Sequence, residues 1–204
     1  MICKIANGAG FLGDNLDAPR RLVETAQVDY LTLEYLAELT LSILARVREK
    51  NPAAGYAEDF LGVLASLVPA LKAQARLKLV TNAGGMNPTS CARAAAKILT
   101  EAGLAATPLG IVTGDDLLAD LVNLQAVGCE FKNLDTGQPL AALAEPVVSA
   151  NAYLGAREIA GCLAAGARIV ITGRVADASL TVGPAVHEFG WQWDDWQRLA
   201  GASV

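Results

Sequence analysis

Polar residues able to do chemistry are spread unevenly along this sequence. They gather in six short segments: 7–15 (NGAGFLGDN), 34–35 (EY), 81–88 (TNAGGMNP), 113–116 (TGDD), 151–155 (NAYLG) and 172–179 (TGRVADAS). The carboxylates among them are Asp14, Glu34, Asp115, Asp116 and Asp177. Neighbouring carboxylates push each other's pKa values apart, so Asp14 and Glu34 are candidates for a general acid and base. Alternatively, Asp14, Glu34 and Asp177 are candidate oxygen ligands for a hard divalent cation such as Mg²⁺. Asp115 and Asp116 also suit a plain helix cap. Asn82, Gly84, Gly85 and Asn87 run into a helix start, where free N–H groups and the helix dipole favour a carboxylate, thioester oxygen or phosphate. The paired glycines fit a tight turn equally well. Arg174 has the fork to clamp a carboxylate, with Asp177 as its orienter; an ion pair with Asp177 or Glu158 is the structural alternative. Gly10, Asn15, Asp115, Asn151 and Tyr153 complete the expected wall around a substrate.

Other motifs carry less. Gly8 to Gly13 spell G-x-G-x-x-G after a strand, and Glu34 follows 21 residues past Gly13. That is a dinucleotide fingerprint on paper. Asp14 and Asp17 would repel a pyrophosphate, however, and Pro19 delays the helix that should point at it. His187 is the sole histidine, which disfavours His-based triads and His-rich zinc sites. There is no GxSxG and no Walker A sequence. Cys91 falls in the first turn of a helix, where the dipole would lower its pKa, but a packed thiol is the simpler reading. Trp191, Trp193 and Trp196 read as core or interface.

Short β-branched runs precede the polar segments. Strands are expected at 2–6, 28–33, 77–81, 107–112, 146–150 and 168–172. Continuous apolar runs of this kind suit a parallel sheet covered on both faces. Between them lie helical patterns. At 36–48, Leu36, Leu39, Ile43, Leu44 and Val47 recur near a 3.6-residue period. Further helices are expected at 60–71, where Pro69 threatens a kink, from Asn87-Pro88 to Glu101, at 156–165 closed by Gly166, and at 175–189. Strand, loop and helix repeated in this way predict an α/β fold. It is a mostly parallel sheet of successive βαβ units with helices on both faces. A Rossmann-like open sheet is favoured over part of a barrel. Ligands of such folds bind beyond the carboxyl ends of the strands, where the six polar segments fall. The stretch 128–146 is the least regular and is expected to hold a hairpin or an excursion at the sheet edge.

Composition narrows the function classes. The chain has 204 residues, 53% of them hydrophobic and 18% charged, which excludes a disordered chain. At this length roughly 70% of the unfolded surface is buried on folding, so one domain is expected. The net charge is −5, with 16 basic and 21 acidic residues and no basic, aromatic-interleaved stretch, so nucleic acid is a poor partner. The greasiest run, 60–71, is too short to span a membrane. Four scattered cysteines and no export signal point to the cytoplasm.

The runs GAGFLGDN, LTLEYLAE, TNAGGMNP, NAYLGA and TGRVADASLTVGPAVHEFGW resemble, in order, those of the acyclic terpene utilisation protein A family. The resemblance spans Gly8 to about Trp196. It implies a role in terpene catabolism, a pathway of branched acyl-CoA thioesters, and a chain that is the N-terminal portion of a longer family domain. The leading expectation is therefore a catabolic enzyme acting on a small carboxylate or branched acyl-CoA in a lyase- or hydratase-type step. The rival classes are a non-catalytic α/β subunit or ligand-binding partner protein and an NAD(P)- or FAD-dependent oxidoreductase; a homo-oligomer or a partner subunit is expected in either case.

Overall fold

The computed structural model describes residues 2–204. Five strands, β1 (Ile5–Ala9), β2 (Tyr30–Leu33), β3 (Lys78–Thr81), β4 (Leu109–Val112) and β5 (Ile169–Thr172), form one sheet. Its order is β1-β2-β3-β5-β4 and every pairing is parallel. The sheet is open, so the Rossmann-like alternative holds and the barrel does not.

Side chains alternate across the pleat and fill two cores. Leu31, Leu33, Leu79, Ile169 and Ile171 point to one face, where they meet α1 (Ala18–Thr25), α2 (Glu38–Lys50), α3 (Asp59–Ala73) and α4 (Pro88–Glu101). Tyr30, Val80, Val112 and Val170 point to the other, against α6 (Arg157–Ala164) and α7 (Ser179–Phe189). The division follows from handedness. From β1 to β4 the chain advances across the sheet with its helices on the first face. It then steps back to place β5 between β3 and β4, and a right-handed crossover in that direction must use the second face.

Two expected elements differ. The first strand lies three residues late, because Asn7 and Gly8, usual turn formers, lie within β1: Asn7 pairs with Thr32, and Gly8 is passed over at the register shift between Asn7 and Ala9. The expected strand 146–150 is not in the sheet. The chain there only approaches an isolated antiparallel bridge between Asp116 and Asn151. The whole segment 113–150 is an arm of short helical pieces, including α5 (Leu121–Ala126), and irregular turns without a strand. Pro69 does not end its helix, since α3 runs on to Ala73. Trp191 and Trp193 pack beside α6 and α7, with the Arg157 guanidinium 5.0 Å from the Trp193 ring, while Trp196 opens α8 (Trp196–Ala202) and is exposed.

Asn87 caps α4 as the sequence predicts, its Oδ1 accepting from the Ser90 amide at 3.2 Å. Its Nδ2 also donates to the carbonyls of Pro52 and Ala54 at 3.0 and 2.9 Å, tying the α2–α3 connection to the loop after β3. Asn87→Ala is expected to cost about 1–2 kcal/mol in a urea titration. The upper half of that range is expected because the cap carries two extra bonds.

Candidate functional site

In a parallel sheet, a crevice opens where neighbouring strands send their chains to opposite faces. Here β3 leaves for α4 on one face and β5 leaves for α7 on the other. Asn82 follows β3, Arg174 follows β5 and Glu34 follows β2, so three expected site residues meet at this point. Gly84 permits the approach: a Cβ there would stand 2.4 Å from the Thr172 carbonyl oxygen and 2.8 Å from Pro88 Cα.

Glu34 is held from two sides. Its Oε1 accepts from the Leu36 amide at 2.9 Å and from Asn82 Nδ2. Asn82 is itself fixed, accepting from the Tyr35 amide at 2.8 Å. Glu34 Oε2 is buried and has no hydrogen-bond partner. Burial pushes the Glu34 carboxyl above the usual carboxylate range, and the negative charge of Asp177 adds to the rise. The bonds from Asn82 and Leu36 and the charge of Arg174 pull it the other way.

Arg174 is 4% exposed and draws three carboxylates: Asp177 at 3.1 Å, and Glu34 and Glu38 at 3.9 Å each. Its Nη1 donates to the Leu36 carbonyl at 2.9 Å. Its guanidinium carbon lies 4.1 Å from the ring centroid of Tyr153, whose hydroxyl donates to Glu38. Hydrogen bonding from Tyr153 holds the Glu38 carboxyl below its usual value. Arg174 Nε is buried without a partner. The ion pair with Asp177 that the sequence offered as a structural alternative is therefore present, alongside the contacts to Glu34 and Glu38.

Asp115 and Asn151 lie beneath this cluster. The Asp115 Oδ2 accepts from the Arg174 amide at 2.8 Å and from Asn151 Nδ2 at 2.9 Å. The Asp115 Oδ1 occupies the space that a side chain at Gly173 would need, 2.3 Å from the ideal Cβ. Asp116 instead pairs with Arg48 at 2.9 Å.

The remaining expected residues serve their own turns. The amides of Gly85 and Asn87 donate to the carbonyls of Asn82 and Gly84, that of Met86 to Gly55, and that of Ala83 to Thr81 Oγ1. Those four donors of the 81–88 loop are thus engaged. Asp14 is exposed, accepting from the amides of Gly10 and Asn15 at 2.8 and 2.7 Å, bonds that hold its pKa down. Asn15 accepts from the Asp17 amide. A carboxylate thus sits in the turn where the dinucleotide reading would seat a pyrophosphate. No hydrogen bond or ion pair among the described residues joins Asp14, Gly10 or Asn15 to Arg174. Nor do any three Asp, Glu, His or Cys side chains among them form a metal-binding group. The expected set Asp14, Glu34 and Asp177 is not assembled as one. Cys91 is buried, and burial pushes its thiol up to about 12, overriding the expected dipole effect. A hollow of about 410 Å³ among Lys4, Asp29, Gln74 and Arg76 lies at the opposite ends of the strands.

Sequence reasoning missed Glu38. It stands on the first turn of an amphipathic helix, where a carboxylate ordinarily faces solvent, and only the fold carries Tyr153 to it.

The arrangement defines an open parallel α/β protein with a buried carboxyl–guanidinium pair in its strand-end crevice. Residues 3–204 match the model of the acyclic terpene utilisation family protein AtuA, and the chain belongs to that family. No curated protein and no solved structure matches it. Among the described residues no helix is long and apolar enough to cross a membrane.

Proposed function

We propose that the protein is a cytoplasmic catabolic enzyme that moves a proton on a small carboxylate or branched acyl thioester, in a hydratase- or lyase-type step. The observation that carries this reading is the pair of orphaned polar atoms, Glu34 Oε2 and Arg174 Nε. They are buried and belong to groups in ion-pair contact. A buried carboxyl with a raised pKa, one oxygen fixed and the other free, suits a general acid/base. In an elimination, Glu34 Oε2 takes a proton from the carbon next to the acyl carbonyl. The carbon–oxygen bond one carbon further on breaks as the double bond forms, and the same proton leaves with the hydroxyl as water. Arg174 Nε donates to the carbonyl oxygen, where negative charge develops. Membership of a terpene-utilisation family supports the substrate class, and four unpaired cysteines support a reducing compartment.

The test is deuterium incorporation beside the carbonyl, followed by proton NMR in D₂O, across short branched acyl thioesters and hydroxy acids. Incorporation that depends on Glu34 supports the reading. Incorporation that runs equally in Glu34→Gln, or none with any compound, overturns it.

A further inference from the structure

Two neighbouring surfaces lack the cover their composition calls for. The first is the arm. No residue from 116 to 150 is buried, although the segment carries Val122, Val127, Leu134 and Leu143 fully or largely in solvent. The second is the outer face of α2. Leu39, Ile43 and Val47 recur every four residues and are all exposed, so they form one apolar stripe along the helix. A shallow groove runs beside it, edged by Ser42, Arg46 and Lys50. An exposed apolar stripe, unlike singly scattered apolar residues, marks an interaction site.

Charge indicates what covers each surface. Residues 113–150 hold six acids and a single base, Lys132, which accounts for the whole −5 of the chain. With Asp115 buried and Asp116 on Arg48, Asp120, Asp135 and Glu145 remain to face outward. The carboxyl half of α2 carries three bases against Glu49; with Arg48 on Asp116 and Arg46 3.1 Å from Glu49, Lys50 remains as the unpaired cation beside the stripe. An acidic apolar arm is thus complementary to a basic apolar helix face. Within one chain the two surfaces lie side by side. Arg48 bridges from α2 to Asp116 at the root of the arm, and a hollow of about 370 Å³ between Ala45, Met86, Leu118 and Val148 marks their seam.

We propose that two copies of the chain pair about a two-fold axis at this seam, the arm of each lying on α2 of the other. Adjacent complementary patches favour this closed pairing, because one rotation satisfies both contacts at once and leaves nothing to propagate. A stable interface needs roughly 800 Å² from each partner, and the symmetry doubles whatever one arm-on-helix contact supplies. The proposal is independent of the chemistry assigned to Glu34.

The experiment is light scattering on the purified protein at tens of micromolar, with Ile43→Glu on the helix and Val122→Glu on the arm. Both positions are exposed, and unchanged circular dichroism checks that the fold survives. The wild type is expected at twice the 21.2 kDa chain mass, and each variant at the monomer mass. An equimolar mixture of the two variants is expected to recover part of the dimer, since one of its two contacts is then wild type on both sides. A monomeric wild type overturns the proposal, as does a dimer that persists in either variant. Two monomeric variants that fail to complement overturn the reciprocal arrangement.

Discussion

Glu34→Gln is expected to lower turnover by roughly 10²–10⁴-fold, the usual contribution of one positioned acid/base group. The fold should survive, because the Gln oxygen can still accept from Asn82 and from the Leu36 amide, as Glu34 Oε1 does. What disappears is the group that carries the proton. Stability gives a second, independent readout. Burial raises the native pKa of Glu34 above its ordinary 4.5, so the native state binds the extra proton in the pH window between those two values. On its account, stability falls as pH rises from 4.5 through the native pKa, then stays at the lower level. Gln has no charge to bury. The variant should therefore gain on the wild type in melting temperature as pH rises through that window, and keep the gain at pH 7. A gap that closes with rising pH would mean that Arg174, rather than burial, governs this carboxyl.

Much of this arrangement is legible in the sequence, for local reasons. Asn87-Pro88 announces a helix start because an amide cap and a donor-free first residue are both local requirements. Gly166 closes the helix before β5 with a positive φ that few other residues adopt. Glu34, Asn82 and Arg174 can be chosen because each directly follows an apolar β run, and parallel strands must end on one side. What resists reading is pairing. The run 146–150 has the composition of a strand but no strand beside it, and a ladder partner is not a property of the run itself. In the same way, nothing local tells β5 to enter between β3 and β4, although that insertion creates the crevice. Asp14 shows the limit from the other side. A carboxylate in a glycine turn near a strand end has the right chemistry, yet its oxygens serve the turn's own amides. Arg174 meets three carboxylates: spacing offers Asp177, three residues on, but only the fold brings Glu34 and Glu38 to it.

The side chain expected to matter most for stability touches none of the proposed chemistry directly. Asp115 is 3% exposed, and its Oδ2 takes both the Arg174 amide and Asn151 Nδ2. Through these bonds one carboxylate joins the turn after β5, the segment that returns from the arm, and the end of β4. Asp115→Ala strips the partner from one buried and one part-buried donor and leaves a void against Gly173. Bonds to a charged acceptor are worth about 1.5–3 kcal/mol each, and an unpaired buried donor is costly in its own right. A loss of about 3–5 kcal/mol is expected, or a melting temperature lower by roughly 10 °C for a chain of this size. The neighbouring Asp116→Ala removes a partly exposed pair with Arg48 and one bond from the Leu118 amide, and should cost about 1–2 kcal/mol. Equal losses at the two positions would show that the Gly173–Arg174 turn holds its shape without Asp115. A large loss at Asp115 alone, with deuterium incorporation falling in step, would identify this carboxylate as the residue that positions Arg174.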